Sequence, residues 1–223
     1  MPSSNYEAIP WVLDAVRELN PKSILDVGTG AGKYGALFRE YLDICIVGAD
    51  PAKRRHIIDG VEIFEKNITR LHEEVYNMLY RGDIRSLMET LPVYDLIFMG
   101  DVIEHFQKAE GVAILQGLLK HARIAVIVVT PAIFIEQGCH EGNVHETHLS
   151  AWTKADFEKL VKSHCVIVST QLVVAMLNGA YDNISSWLWR NRAKRSLKAI
   201  LRRAYSASVS ILIGQKWFQT RSN

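Results

Sequence analysis

The chain has 223 residues, 48% of them hydrophobic and 22% charged, with a net charge of +2. That balance excludes disordered and fibrous classes, and a chain of this length buries about 70% of the surface it exposes when unfolded, so a core needs no covalent or metal staple. Its three cysteines, Cys45, Cys139 and Cys165, lie far apart with no CxxC pair, which argues against a disulfide framework or a cysteine zinc site and fits a reducing compartment.

The amino-terminal run MPSSNYEAIPWVLDAV lacks a basic region followed by an apolar core, and the longest apolar run, Ile124 to Ile135, is broken by Thr130 and Pro131. No signal peptide or membrane span is expected, and the expected location is cytoplasmic. Strand-like and helix-like runs then alternate over residues 6–172, the pattern of βα units around a parallel sheet with right-handed crossovers. An opening helix, Tyr6 to Leu19, carries Ile9, Leu13, Val16 and Leu19 on one stripe and stops at Asn20-Pro21. The first strand is Ser23 to Val27, and a helix from Gly32 to Tyr41 follows with Tyr34, Leu37 and Tyr41 on one face. Further strands are expected at Ile57–Ile63, Asn77–Arg81, Tyr94–Met99, Ile124–Thr130 and Val166–Leu172, and helices at Glu65–Val75, Ala109–His121 and Thr153–His164. The run Ile124 to Val129 is apolar on both faces, as in a sheet covered by helices on each side. The fold class is therefore a doubly wound α/β domain, in which ligands sit beyond the carboxyl ends of the strands.

After the first strand the chain reads Asp26-Val27-Gly28-Thr29-Gly30-Ala31-Gly32-Lys33-Tyr34. Alternate glycines permit a tight turn and bring backbone N–H groups close to a ligand. A dinucleotide GxGxxG needs glycine where Lys33 stands, and a phosphate loop ending at Gly32-Lys33 needs glycine for Val27 and a hydroxyl residue for Tyr34. Both phosphate motifs fail. The D-x-G-x-G-x-G loop, together with Gly60-Val61-Glu62-Ile63-Phe64, Gly82-Asp83-Ile84 and Asp95-Leu96-Ile97-Phe98-Met99-Gly100-Asp101-Val102-Ile103-Glu104-His105-Phe106, resembles the ordered motifs of class I S-adenosylmethionine-dependent methyltransferases over residues 22–170. The resemblance implies a mostly parallel seven-stranded Rossmann-like sheet and S-adenosyl-L-methionine as cofactor.

It further implies that Asp26, Gly28, Gly30 and Gly32 face the methionine portion, and that an acid closing the second strand takes the ribose hydroxyls. A carboxylate suits a vicinal diol because it accepts two hydrogen bonds. Glu62 is assigned there, Asp83 to the adenine amino group, Ile84 to the ring face and Asp101 to the cofactor ammonium. Asp50, 24 residues beyond Asp26 at the end of Ile44 to Ala49, competes for the ribose; Glu62 is preferred because a helix follows it, and Ile44 to Arg55 is then an insertion.

Methyl transfer is a direct displacement in which the protein mainly aligns the acceptor, and a base near neutrality helps where the acceptor is a hydroxyl or protonated amine. The catalytic candidates are His148 first, then His145, His105 and Glu104. An H-x-x-H pair without a third ligand is poor support for a metal, and none is expected. Trp152 reads better as packing than as substrate contact. The implied activity is transfer to oxygen or nitrogen of a small-molecule or glycan-related acceptor. A non-catalytic S-adenosylmethionine-binding module and a nucleic-acid methyltransferase are the alternatives, the latter disfavoured because no Asn-Pro-Pro-Tyr or Asp-Pro-Pro-Tyr motif is present.

All 24 acids precede Asn183 while nine of the 26 bases follow it, giving −7 for residues 1–182 and +9 for residues 183–223. Residues 187–205 read as a basic amphipathic helix, and Val209 to Trp217 as a closing antiparallel seventh strand, which makes 173–207 an insertion between strands six and seven. Residues 1–182 are accordingly read as the cofactor-binding domain and 183–223 as its basic helix and last strand. That helix suits an anionic membrane surface, with peripheral attachment, or packing on the domain or on a second subunit of a homodimer; nucleic acid is not expected.

Overall fold

A computed structural model describes residues 5–139, 142–161, 164–169 and 171–178, all within a unit spanning Met1–Asp182. Residues 183–223 form a second unit that lies outside the described residues, and with it the expected basic helix and the strand at Val209 to Trp217.

The elements follow the βα alternation. Helix α1 is Ala8–Leu19, β1 Ser23–Val27, α2 Lys33–Arg39, α3 Cys45–Val47, β2 Ile57–Glu62, α4 Arg70–Val75, β3 Leu79–Arg81, α5 Ile84–Leu87, β4 Tyr94–Gly100, α6 Lys108–His121, β5 Ala122–Pro131, α7 Lys154–Glu158, β6 His164–Val168 and β7 Leu172–Asn178. They form one seven-stranded sheet in the order β3-β2-β1-β4-β5-β7-β6. The strands β1 to β5 pair in parallel, whereas β7 runs antiparallel to both β5 and β6. The sheet is thus mixed, with its order reversing at β1 and β4, where a doubly wound sheet opens a crevice at its carboxyl edge.

Local chemistry accounts for the boundaries. Asn20 closes α1 in the left-handed conformation, φ 45°, and donates its N–H to Val16 O at 2.9 Å, while Pro21 prevents continuation. Val12, Val16, Ile24, Leu25, Leu96, Ile97 and Val126 to Val129 are all buried, so both faces of the central strands are covered. In α2 the inward residues are Tyr34 and Phe38, followed by Leu42; the expected Tyr41 is exposed. Trp152 sits in the core, its indole N–H donating to Ser150 Oγ at 2.9 Å and its ring stacked on Phe157.

Two expectations are corrected. The single strand Val166 to Leu172 is a hairpin, β6 and β7, closed by Ser169 N–H to Leu172 O at 2.9 Å. The antiparallel strand beside β5 is therefore β7, so residues 173–178 belong to the sheet and not to an insertion, and only residues 169–171 separate β7 from β6. The helix expected over Thr153 to His164 is only α7, nucleated by a capping box in which Thr153 N–H donates to Asp156. Ile44 to Ala49, the strand-like run before Asp50, is not a strand: α2 continues as a π-helical turn, Glu40–Ile44, and then α3. Buried Arg39 anchors this segment, pairing with Asp43 at 2.6 Å and donating to the carbonyls of His56 and Val75.

Candidate active site

The carboxyl ends of β1, β2, β4 and β5 open on one cavity of about 1110 Å³, room for a nucleoside-sized ligand and a second small molecule. Gly28, Gly30 and Gly32 have φ of 76°, 53° and 81°, so the loop after β1 needs glycine for its backbone path. A Cβ on Gly28 would also stand 2.3 Å from Val102 Cγ2. The loop is pinned to β2: Gly28 and Thr29 donate their N–H groups to Val61 O, and Gly30 N–H donates to Glu62 Oε2 at 2.7 Å.

Glu62 is buried at the end of β2 and also accepts from Thr29 Oγ1, Phe64 N–H and Asn67 Nδ2. Its two side-chain donors, Thr29 and Asn67, line the cavity with it. Asp50 is half exposed, caps the turn Pro51–Lys53 and does not line the cavity. Geometry therefore separates the two acids that spacing left in competition.

A buried histidine that the sequence did not single out holds the loop from the other side. Thr69 N–H donates to His72 Nδ1 at 3.1 Å, so the proton is assigned to Nε2, which faces Gly30 O at 3.1 Å and Thr29 Oγ1 at 3.2 Å. Burial lowers the His72 pKa, with the Gly30 carbonyl and Glu62 opposing.

Asp26 lines the cavity at the end of β1 and accepts from Tyr76 Oη at 2.6 Å. Burial, helped by the charge of Glu62, pushes its pKa up to about 7 against the Tyr76 and Gly35 hydrogen bonds. Beside it are Lys33 and Tyr34. The buried Tyr34 hydroxyl has no hydrogen-bond partner among the described residues, and the Lys33 ammonium, its pKa lowered by burial and raised by Asp101, lies 5.1 Å from the Tyr34 ring centre. Asp101, the residue after β4, adopts φ 53° and donates its N–H to Val129 O.

At the β3 side, Asp83 caps α5 and is clasped by Arg85, which also reaches Glu110. Although burial raises it, the Arg85 hydrogen bonds hold the Asp83 pKa below its usual value. Ile84 belongs to the core, 4% exposed, and does not line the cavity. The apolar wall there is Ile63 and Phe106, with Arg85 packed over the Phe106 ring. His145, an exposed residue of the turn Val144–Glu146, acts electrostatically on Asp83 and so belongs to this end.

The remaining candidates converge at the other end. Glu104, His105 and His148 bring one ligating atom each to within 4.8 Å of one another, and the two imidazole rings are 4.9 Å apart. Glu104 is 2% exposed; Oε2 accepts from Thr130 Oγ1 at 3.1 Å, while Oε1 has no hydrogen-bond partner among the described residues. Burial first, then the charges of Asp101 and Glu146, push its pKa up to about 8. Burial lowers the His105 pKa, opposed by main-chain carbonyl contacts including Thr147. The segment after β5 is tied to Glu104 through Leu149 N–H and Ser150 N–H, both donated to Glu104 O, and internally through His148 N–H to Gln137 O. Among the described residues no helix is long and apolar enough to cross a membrane.

No family model matches the chain, and no curated protein matches it by sequence. Solved structures do match. The N-terminal domain of EvdMO1, determined in the presence of SAH and D-fucose, aligns with a TM-score of 0.52 at 16% identity, over 79% of this chain and 85% of that one. The methyltransferase domain of bacterial CtHen1 aligns at 0.54 and 19% identity, over 78% of this chain and all of that domain. An O-methyltransferase family protein from Burkholderia thailandensis aligns at 0.53 and 11% identity, over 79% of this chain and 57% of that one. With its strand order and the glycine loop closing β1, the chain has the fold of the class I S-adenosylmethionine-dependent methyltransferases.

Proposed function

We propose that the protein is an S-adenosylmethionine-dependent methyltransferase acting on a hydroxyl oxygen of a small-molecule acceptor. The observation that carries this reading is one cavity with two ends: a glycine loop held by Glu62 at one, and the Glu104–His105–His148 cluster at the other.

The donor end fits the cofactor by its own chemistry. The Tyr34 hydroxyl and the Lys33 ammonium supply a donor and a cation for a carboxylate, with Asp26 and Asp101 as acceptors for an ammonium. Glu62 takes a ribose diol in place of the hydroxyl of Thr29 and the amide of Asn67, its two longest bonds at 3.2 and 3.3 Å. Ile63 and Phe106 provide apolar faces for adenine, and the Asp83–Arg85 pair its polar edge. When bound, S-adenosylmethionine supplies an activated methyl: an oxygen–carbon bond forms as the carbon–sulfur bond breaks, the electron pair stays on sulfur, and the hydroxyl proton departs.

At the acceptor end, Glu104 and His105 orient the hydroxyl, and His148 takes its proton as general base while the oxygen–carbon bond forms. Ile133, Ile135 and Leu149 line the same cavity and are exposed, which favours an acceptor with an apolar body beside its hydroxyl. The basic segment 187–205 supports contact with an anionic surface, tested by co-sedimentation with anionic vesicles of the full chain against one ending at residue 182. Incubating the protein with S-adenosylmethionine and a panel of hydroxylated acceptors, and measuring S-adenosylhomocysteine release, tests the activity. Release that depends on an apolar hydroxylated acceptor supports it; no cofactor turnover with nitrogen or oxygen acceptors, together with tight NAD binding, overturns it.

A further inference from the structure

We infer that Tyr76 is a positioning residue for Asp26, and that the pair exchanges a proton for the cofactor's ammonium, so that cofactor uptake discharges a proton from the Asp26 carboxyl to solvent. The inference rests on the methyltransferase reading and states how the donor end of the cavity takes up that ammonium.

Tyr76 is fixed from its main chain outward. It directly follows α4, where Arg39 donates from Nε and Nη2 to Val75 O, and the next residue, Asn77, donates its N–H to Ile58 O at 2.7 Å. Its ring is gripped between α2 and β2: a Cβ on Gly35 would stand 2.3 Å from Cζ and Oη, and one on Gly60 3.2 Å from Cδ1. Glycine at position 35 thus leaves the slot through which the phenol reaches the end of β1. There Oη donates to Asp26 Oδ2 at 2.6 Å, with both side chains buried. Phenylalanine would fill the same slot, so what the hydroxyl adds is a donor aimed at a carboxyl group.

Asp26 lines the cavity yet is 2% exposed, and Glu62, at the end of the neighbouring strand, sets a second buried carboxyl against it. Glu62 is met by four donors, whereas Asp26 has Tyr76 and a Gly35 main-chain contact. Of the two acids, Asp26 is therefore the one that keeps a proton in the free protein. The other groups facing the pair are Tyr34 and Lys33 of α2, Asp101 after β4, and His72 of α4, whose ring lies 5.6 Å from that of Tyr76. An ammonium arriving at Asp26 reverses the balance, because a cation beside a buried carboxyl favours its charged form. The carboxyl proton leaves through the open cavity, the ammonium keeps its own protons, and Tyr76 goes on donating to the carboxylate that remains. That hydrogen bond favours the charged form in the free and the loaded protein alike. Tyr76 thereby sets the pH at which the exchange occurs and not the strength of the final complex.

The test titrates the full chain calorimetrically with S-adenosylhomocysteine, which carries the same ammonium, between about pH 6 and 8 in pairs of buffers with different ionisation heats, a comparison that counts protons released. Wild type should release close to one proton at pH 6, about half at pH 7 and almost none at pH 8, with affinity rising by up to about tenfold per pH unit below pH 7 and levelling off above it. Asp26→Asn should release no proton and bind with no pH dependence over this range. Tyr76→Phe should move the release upward by about one pH unit, the size of one hydrogen bond to a charged group, so its affinity is roughly ninefold below wild type at pH 6 and within about twofold at pH 8. That recovery with pH separates positioning from packing. Wild-type binding without proton release, the same release in Asp26→Asn, or a Tyr76→Phe profile that matches wild type or is weaker by one factor at every pH overturns the inference and leaves the methyltransferase reading in place. No binding of S-adenosylhomocysteine at any pH overturns both.

Discussion

Glu62→Gln is the sharpest substitution at the donor end. Glu62 accepts four hydrogen bonds, from Gly30 N–H and Thr29 Oγ1 on one oxygen and from Phe64 N–H and Asn67 Nδ2 on the other. A glutamine of the same shape satisfies one side only. Keeping its oxygen toward Gly30, the shortest bond at 2.7 Å, turns its amide toward the Phe64 N–H, and a buried donor then faces a donor. Bonds to a charged acceptor are each worth about 1.5–3 kcal/mol and an unsatisfied buried group costs about 1–3 kcal/mol, so the free protein should lose about 2–4 kcal/mol. The ribose hydroxyls lose the same charged acceptor, and a further 1.5–3 kcal/mol in binding corresponds to roughly a 10- to 100-fold weaker affinity. Calorimetric titration with S-adenosylhomocysteine, below the melting temperature of the variant, measures this. Asp50→Asn, at a half-exposed turn cap away from the cavity, should leave affinity unchanged. Wild-type affinity in Glu62→Gln, or a loss in Asp50→Asn, refutes the assignment.

Other substitutions probe the same frame. Asp26 has its pKa raised to about 7 in the fold, so the folded chain holds a proton that the unfolded chain releases near pH 4; its contribution is full below that and falls as pH rises toward 7, at no more than about 1.4 kcal/mol per pH unit. Urea unfolding of Asp26→Asn between pH 5 and 8 should show that slope removed, and an identical slope would contradict it. Gly28→Ala combines a left-handed φ with a 2.3 Å approach to Val102, which should destabilise by about 2–4 kcal/mol and lower the melting temperature by roughly 5–15 °C. His72→Ala frees the glycine loop from its Gly30 contact and should weaken S-adenosylhomocysteine binding about tenfold by raising the ordering cost of the loop; unchanged affinity would show that the histidine only caps α4.

Much of this frame was legible in the sequence. The strand Ser23 to Val27 and the helix over Ala109 to His121 carry strong periodic or two-faced apolar patterns, and both stand within a residue of expectation. That a glycine loop closes β1 and an acid, Glu62, closes β2 was legible because backbone chemistry at strand ends constrains residue type. The β6–β7 hairpin was not: its turn, residues 169–171, contains no glycine or proline, so two strands read as one and a later apolar run was drafted to close the sheet. Ile84 follows Asp83 in the sequence, which implies a ring contact, yet the first turn of α5 buries it in the core. His72, Lys33 and Tyr34 were missed as site residues since nothing local marks them; only the packing of α4 and α2 against the loop brings them there. That Glu104, His105 and His148 stand together likewise depends on how the segment after β5 folds back to the turn after β4, a long-range contact that no local pattern encodes.

The central claim, that one cavity holds the cofactor with its sulfur end toward Glu104, His105 and His148, is tested most directly by a crystal structure with S-adenosylhomocysteine. The ribose should lie on Glu62, the carboxylate at Lys33 and Tyr34, and the sulfur should face the cluster. A ligand bound elsewhere, or bound in the reverse direction with adenine against His105 and His148, would contradict it.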